Sequence, residues 1–278
     1  MRVGVVGHVE WVEFLRVEDV PRPGEIVHTV ASWAEPAGGG GVAAVQLQRL
    51  AGDVHFFTAL GDDELGRRAR SELEAQGVTV HSSTHGEPQR RAFTYVDEAG
   101  ERTITVIGHK LLPSGENGEL PWEELARCDA VYFVAGDISA LHAARRARVL
   151  VATSRELATL RRGGTEIDVL VGSGNDPGEK FEHGDLEPAP KTVVTTSGSL
   201  GGWIQPGGPF RAAPLPGPIE DAYGCGDCFA AGLTFGLARG DSIEDAVALG
   251  AECGAEALTR PGAWASHTSG DGGRIGLA

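Results

Sequence analysis

Residues 221–227, with the sequence DAYGCGD, are the stretch of this chain whose residue types and spacing best suit chemistry. An alanine-rich apolar run follows and stops at Gly240, which predicts a tight turn that opens a buried helix. The backbone NH groups of Gly224, Cys225 and Gly226 would then lie at the positive end of that helix, without bulky side chains around them. Such a turn is suited to an anion such as a phosphate.

Asp227 follows the turn directly and would place a carboxylate beside the bound anion. That arrangement is electrostatically unfavourable unless the chemistry needs it. The obvious need is to accept the proton of a hydroxyl that attacks the phosphate. At its ordinary pKa of about 3.9, the carboxyl would be ionised at neutral pH. Taken alone, the Gly-x-Gly-Asp pattern favours a plain glycine turn in which Asp227 caps the helix.

The heptapeptide resembles the D-T-x-G-A-G-D signature of the ribokinase-like carbohydrate kinases, the PfkB family, with Cys225 at the place of the alanine. The resemblance continues over nearly the whole chain. The glycines at 38–41 are similar to the start of the family's second signature. Residues 196–201 (TSGSLG) resemble its T-x-G-x-x-G loop, which contacts the nucleotide, and residues 259–263 resemble its closing turn beside the adenine.

This resemblance implies transfer of the γ-phosphate of ATP, with Mg²⁺, to a hydroxyl of a sugar or sugar-like molecule. The implied catalytic residues are Asp227 as general base and Gly224, Cys225 and Gly226 as the anion hole. The implied nucleotide-binding residues are Thr196, Gly198, Gly201 and Gly226. The implied substrate-binding residues are Glu10, Gly38, Gly39 and Asp227, although the glycines at 38–41 are equally well explained as a hinge. Asp221 is expected to brace the turn or, as in some relatives, to help hold a monovalent cation such as K⁺.

Several positions depart from the family's pattern. Val12 stands where relatives often carry an aspartate, and Ala43 stands where an asparagine usually follows the paired glycines. Because two groups that would grip sugar hydroxyls are missing, we expect ribose to be a poor substrate. Ser173 and Asp176 occupy the places of an N-x-x-E motif that organises magnesium and phosphate, so Asn175 or Glu179 would have to substitute for it.

Short β-rich runs separated by helical segments predict an α/β fold with a mainly parallel sheet and crossover helices. The predicted strands of this sheet are 2–6, 54–60, 130–134, 149–152, 169–171 and 192–195. Four further extended runs, at 9–15, 25–32, 91–96 and 102–107, predict a small second sheet. In the resembling family such a sheet covers the sugar as a lid and excludes water.

Together these elements predict a ribokinase-like three-layer sandwich over residues 1–264, with lid segments at about 9–35 and 90–108. Residues 265–278 are polar and glycine-rich, which predicts a disordered tail. The histidines at 81 and 85 lie in a polar Ser/Thr stretch, so we expect both side chains to be solvated.

The composition limits the class of protein. The chain has 278 residues, 41% of them apolar, and a formal charge of -15, which disfavours nucleic acid and anionic membrane surfaces as partners. No apolar run is long enough to span a bilayer, and four cysteines lack the spacing of a disulfide framework, so a cytoplasmic location with reduced thiols is expected. The expected partners are the sugar or polyol and ATP, together with a homodimer formed through the lid.

Four other functions compete with this one. A P-loop enzyme is excluded because no lysine stands in a G-x-x-x-x-G-K-[ST] motif. Residues 39–44 match the dinucleotide fingerprint G-x-G-x-x-A, but residues 35–37 do not predict the strand that must precede it, so an NAD-dependent enzyme is disfavoured. A nucleoside kinase of the same fold and a noncatalytic nucleotide- or sugar-binding protein remain open.

Overall fold

The computed structural model describes residues 1–264, so the predicted disordered tail at 265–278 lies outside the described residues. In chain order the strands are β1 Val3–Val6, β2 Glu10–Arg16, β3 Ala31–Ala37, β4 Val54–Gly61, β5 Thr79–His85, β6 Arg91–Val96, β7 Arg102–Ile107, β8 Ala130–Phe133, β9 Val149–Thr153, β10 Val169–Ser173, β11 Thr192–Thr196, β12 Gly202–Gln205 and β13 Pro209–Phe210. The α-helices are α1 Gly38–Ala51, α2 Glu64–Ala75, α3 Ile138–Ala144, α4 Leu157–Gly163, α5 Cys225–Arg239 and α6 Ile243–Ala257.

Nine strands form the main sheet in the order β13-β12-β11-β10-β9-β8-β1-β4-β5. The seven strands from β11 to β5 run parallel, and β12 and β13 add an antiparallel edge. Neighbouring residues on β4 point to opposite faces, with Phe56 in one apolar core and Phe57 in the other. Helices therefore cover both faces of the sheet, and the predicted three-layer α/β sandwich is confirmed.

The four remaining strands form the small sheet in the order β3-β2-β6-β7. Its central pair, β2 and β6, runs parallel, and the two outer pairs run antiparallel. The strand predicted at 25–32 is wrong: β3 covers Ala31–Ala37, because its register along β2 pairs Arg16 with Ala31 and Glu10 with Ala37. Pro36 is tolerated there because β3 is an edge strand, where one row of NH groups has no partner strand.

The position of β3 also bears on the dinucleotide-binding alternative, for which the sequence predicts no strand before the glycines at 38–41. A strand does lead directly into the glycines at 38–41, contrary to the prediction from residues 35–37. That strand belongs to the small sheet, and within residues 1–264 its single partner strand is β2, to which it runs antiparallel. It therefore does not open a βαβ unit. A dinucleotide fingerprint needs a strand of the parallel sheet at that place, so the fingerprint match remains without its structural context.

The histidines at 81 and 85 are half-buried and not solvated as predicted, because the polar run that holds them forms β5, the edge strand beside β4. Polar residues are accepted there because an edge strand exposes part of its surface to water. His81 is half-buried, and its Nε2 lies 2.9 Å from Nδ1 of His55 on the neighbouring strand.

The helix that follows the DAYGCGD turn is α5, and it ends at Gly240 with φ 89°, as the sequence predicts. It packs closely on α6, since a Cβ at Gly232 would lie 2.8 Å from the Cys253 sulfur and one at Gly236 would lie 2.8 Å from Ala246. The Ala/Gly-rich composition of α5 is therefore required by helix contact. Within residues 1–264, none of the helices combines the length and the hydropathy needed to cross a bilayer.

Candidate active site

The turn before α5 has the geometry of an anion site, with different tasks for its two glycines. Gly224 is the N-cap residue of α5 and has φ 73°, and a Cβ there would lie 2.9 Å from a methyl group of Val42. A side chain at Gly224 would therefore be strained and would clash. A Cβ at Gly226, in contrast, would meet no atom within 4 Å. Gly226 thus leaves open space beside the first NH groups of the helix.

Asp227 is the third residue of α5 and not its N-cap, so the simpler interpretation of the sequence is wrong on this point. It is half-buried. Burial raises the pKa of Asp227 to about 6, and the nearby charge of Glu179 adds to the effect, while Arg102 and Arg155 oppose it. The ordinary pKa expected from the sequence is therefore corrected upward. Because a general base works best when its pKa lies near the operating pH, this shift suits the predicted role.

The glycines that open α1 meet Asp227 across the cleft. A Cβ at Gly39 would lie 2.9 Å from Oδ1 of Asp227. Gly38 has φ 75°, and its backbone NH donates a hydrogen bond of 3.1 Å to the hydroxyl of Tyr223, just before the anion turn. The structure therefore brings the predicted substrate-binding glycines and the predicted base together. Their small size is explained by close contact, which a hinge does not require.

Glu10 lies beside Gly38, since a Cβ there would be 3.1 Å from its Cγ. Glu10 is buried, and its Oε1 lies 2.8 Å from Nε of Arg90. Burial raises the pKa of Glu10, and the charges of Arg90 and Lys110 oppose that shift. Val12 and Ala43, the two departures from the family pattern, are fully buried in the apolar core. Glu10 therefore supplies a polar side chain at this end of the cleft, where Val12 and Ala43 supply none.

Further polar groups surround Glu10, and sequence analysis missed them. Nε2 of His8 lies 3.6 Å from Glu10, and within residues 1–264 its buried Nδ1 has no hydrogen-bond partner. Burial, with the charges of Lys110, Arg90 and Arg155, lowers the pKa of His8 to about 3, so the imidazole is neutral at pH 7. Arg90, Lys110 and Arg155 are far from Glu10 in the sequence, and His8, two residues before Glu10, belongs to no motif, so no local signal could have found them.

Residues 196–201 form the hairpin connection between β11 and β12, with the NH of Ser197 donating to the carbonyl of Gly201 at 2.7 Å. Gly201 has φ 90°, and a Cβ there would lie 2.0 Å from the Phe210 carbonyl, so hairpin packing alone requires this glycine. Gly198 is exposed, with φ 58° and Asn175 as its nearest neighbour at 3.9 Å.

The hairpin is fixed to the helix of the anion turn. The hydroxyl of Thr196, at the end of β11, donates to the carbonyl of Gly172 on β10 at 3.4 Å. The ring of Phe210 on β13 stacks on Phe229 of α5 at 5.9 Å between centroids. The contact between Phe210 and Phe229 thus fixes the strands beside the predicted nucleotide loop against α5, the helix that opens at the anion turn.

The segment from Ser173 to Glu179 places one carboxylate toward the base. Oε2 of Glu179 accepts a 2.7 Å hydrogen bond from the NH of Ser173, and Oε1 lies 2.5 Å from Arg155. Asp176 is also 2.5 Å from Arg155. The charge of Glu179 adds to the raised pKa of Asp227. Carboxylate oxygens are the ligands that Mg²⁺ accepts beside substrate phosphates, so the donor chemistry here fits that ion.

Asp221 is fully buried before the anion turn, and both of its carboxylate oxygens accept backbone hydrogen bonds. Its partners are the NH of Tyr223 at 2.8 Å and the NH of Gly262 at 2.9 Å. Beside it, Glu35 on β3 accepts the NH of Ala263 at 2.6 Å. Burial raises the pKa of Glu35 to about 8 and also raises the pKa of Asp221. Asp221 therefore ties the closing turn at 259–263 to the anion turn, and Glu35, which sequence analysis missed, ties that closing turn to the small sheet.

Comparisons with known proteins show which family and which fold this chain shares. A sequence profile described as "pfkB family carbohydrate kinase" matches residues 2–152 and 149–269. The chain is similar to an ATP-dependent ribose-1-phosphate kinase of Halopiger xanaduensis, with 28% identity over 97% of this chain and 96% of the relative. It is 27% identical to a fructokinase of Salmonella typhimurium, over 82% and 87% of the two chains. The fold matches a ribokinase from Thermotoga maritima with a TM-score of 0.74, 19% identity and 94% coverage of both chains.

Proposed function

This chain belongs to the pfkB family of carbohydrate kinases, and from that premise we propose that it transfers the γ-phosphate of ATP to a hydroxyl of a sugar or sugar-like molecule, with Asp227 as general base. One observation carries the proposal: the Asp227 carboxylate lies against Gly39, and it follows directly in the chain on Gly226, where the space beside the backbone is open. An acceptor hydroxyl held against Gly39 would face a phosphate held at the turn. The relative named an ATP-dependent kinase supports ATP as the donor.

Each group around the turn has a defined task in this proposal. The NH groups of Gly224, Cys225 and Gly226 stabilise the negative charge that develops on the transferring phosphoryl group. Asp227 accepts the hydroxyl proton as the acceptor oxygen bonds to phosphorus. When bound, Mg²⁺ supplies positive charge to the phosphate oxygens, and Glu179 would help to hold it, in place of the N-x-x-E glutamate that this sequence lacks.

The nucleotide and the acceptor bind on two sides of Asp227 in this proposal. Thr196, Gly198 and Gly201 form the nucleotide side through the β11–β12 hairpin, of which exposed Gly198 is the group open to a ligand. Glu10, Gly38 and Gly39 form the acceptor side, where the buried carboxylate of Glu10 can accept hydrogen bonds from sugar hydroxyls. Asp221 serves as a brace through its two backbone hydrogen bonds, and a K⁺ site beside it is a secondary part of the proposal.

The pH dependence of catalysis follows from the raised pKa of Asp227. A carboxylate base is inactive when protonated, so kcat/KM for the acceptor is expected to be constant above about pH 7 and to fall below an apparent pKa near 6. Well below that value the fall should approach tenfold per pH unit. The profile should be measured with saturating Mg-ATP and a neutral acceptor. An acid limb near pH 4, with folding confirmed by circular dichroism, would show that Asp227 is not the titrating base.

The function is tested by a coupled assay of ADP release over pentoses, hexoses, sugar phosphates, sugar acids and nucleosides. We expect turnover with at least one sugar or sugar-like acceptor, and we expect ribose to be poor because Val12 and Ala43 are buried and offer it no polar group. A Michaelis constant for ribose below about 1 mM would contradict that expectation. Parallel assays in sodium and potassium buffers test the cation site. Silence over the whole panel would favour a noncatalytic binding protein, and turnover of nucleosides alone would favour a nucleoside kinase.

The small sheet is proposed to act as the lid of a single kinase domain formed by residues 1–264, with the lid contributed by about 9–35 and 90–108. It is also the proposed homodimer surface. Exposed apolar side chains concentrate there, on and beside its strands: Ile26, Val27, Val30, Ile104, Val106 and Ile107. All residues of the edge strand β7 are exposed, and an open strand edge can pair with another chain.

A cytoplasmic location, in keeping with four free thiols, completes the proposal.

A further inference from the structure

The tip of the small sheet is docked on the segment just before the anion turn. Arg16 of β2 donates to the Oε2 of Glu220 at 3.1 Å and to its carbonyl oxygen at 2.8 Å. The NH of Ala222 donates to the carbonyl of Gly100, which lies between β6 and β7, at 3.0 Å. Arg102, the first residue of β7, donates from Nη1 to the carbonyl of Ala222. The lid therefore places an arginine two residues before Gly224.

The contact with Ala222 places the guanidinium of Arg102 close enough to the anion turn for its charge to act there. Its charge opposes the rise in the pKa of Asp227 and of Asp221 that burial causes. It also contributes to the lowered pKa of Asp176. Its side chain is exposed, so NH donors not used by Ala222 remain available.

Two other cations around the cleft are already paired. Lys110 is paired with Glu156 at 3.0 Å, and Arg155 is paired with Asp176 and Glu179 at 2.5 Å. The NH groups of the turn are dipoles without net charge, whereas the transferring phosphoryl group carries charge on three oxygens. Arg102 forms no ion pair within that described range, so its charge is free to act on an anionic ligand.

We propose that Arg102 is a further catalytic residue, which the lid delivers to the anion turn to donate hydrogen bonds to the transferring phosphate. The proposal rests on the proposed kinase function. In the transfer, the bond between the γ-phosphorus and the bridging oxygen breaks, and the bond to the acceptor oxygen forms. The acceptor proton passes to Asp227, while Arg102 keeps its protons throughout. Docking of the lid would thereby be coupled to stabilisation of charge at the turn.

The test compares Arg102→Gln with Arg102→Lys, and both with Arg16→Gln, which removes the neighbouring contact with Glu220 but leaves the bonds of Gly100 and Arg102 to Ala222 in place. Arg102→Gln is expected to lower kcat about 100-fold, the effect of removing one donor from an oxyanion hole. It should also move the acid limb of kcat/KM above pH 6, since Asp227 loses a cation that lowers its pKa but keeps Glu179, Glu10 and Arg155. Arg102→Lys should keep the limb near pH 6 and recover part of kcat. Arg16→Gln should keep kcat within about threefold of wild type.

Two results would overturn the proposal. The first is a folded Arg102→Gln variant with kcat within about threefold of wild type. The second is an equal loss of kcat in Arg102→Gln and Arg16→Gln, with the acid limb of kcat/KM unmoved in both variants. That result would make Arg102 only part of the contact between the small sheet and the segment before the anion turn.

Calorimetric titration with Mg-ATP separates this proposal from the kinase function itself. If wild type binds Mg-ATP but no acceptor has been found, about tenfold weaker binding by Arg102→Gln alone supports the proposal, and equal binding overturns it. Wild type that neither binds Mg-ATP nor turns over any acceptor would refute the kinase function.

Discussion

The Asp227→Asn variant is expected to fold like the wild type and to lose at least about 100-fold in kcat, because an amide cannot accept the acceptor's proton. The turn itself should be unaffected, since Gly224 caps α5 and Asp227 lies in the first turn of the helix. Removing a half-buried charge whose pKa is already raised by burial should not destabilise the fold. ATP affinity should change little. The measurements are kcat with the acceptor found by the ADP-release screen and Mg-ATP affinity by calorimetry.

The neighbouring helix offers a matched control. Asp245 is the third residue of α6, after the N-cap Ser242, and so occupies the position in α6 that Asp227 occupies in α5. It is exposed and far from the turn in sequence. Asp245→Asn should keep kcat within about threefold and so report any cost of losing a carboxylate from a first helical turn. If Asp227→Asn also stays within threefold while chemistry is rate-limiting, Asp227 is not the base.

The Gly226→Val variant is expected to abolish most nucleotide-dependent turnover without unfolding the protein. A Cβ at Gly226 meets no atom within 4 Å, so the branched side chain enters the space proposed for the phosphate and strikes no protein group. Losing access to the turn's NH groups should lower kcat/KM for ATP by at least about 100-fold. Gly226→Ala, with a smaller side chain, should lose less. Steady-state kinetics and ATP titration measure both effects.

The cost of a β-branched residue at the second helical position is measured separately by Glu244→Val at the second position of α6, which is exposed. Its kinetics should match wild type. Gly224→Val is the contrasting case, because φ 73° and contact with Val42 predict misfolding there. Normal ATP affinity and turnover in a folded Gly226→Val variant would remove the turn from the mechanism.

Local patterns in the sequence predicted the elements whose cause is local. The buried run of β1 and the glycine stop of α5 were read correctly, because strand burial and helix termination depend on neighbouring residues. The Asp63 cap of α2 and the Ser242 cap of α6 also have local causes, since each side chain accepts a hydrogen bond from the NH three residues on.

Elements whose cause lies elsewhere in the chain were misplaced. The polar run of β5 becomes a strand only because β4 offers it a ladder, and β3 is shifted to Ala31–Ala37 by its register with β2. Propensity carries little information about either, because a strand at a sheet edge is set by its partner. The contiguous signature likewise does not say which of its two glycines needs a left-handed backbone, and the structure puts that conformation at Gly224.

The sequence by itself determined the family, the layered fold and the heptapeptide that holds the anion turn, because the signature is contiguous and each of its residues acts on its neighbours. Only the tertiary structure decided the electrical environment of that turn. Asp227 has a pKa near 6 because folding buries it beside Glu179, and Arg102 reaches the turn because the small sheet docks on Ala222. Burial and charge act through space, so residues distant in the sequence set the chemistry of this site.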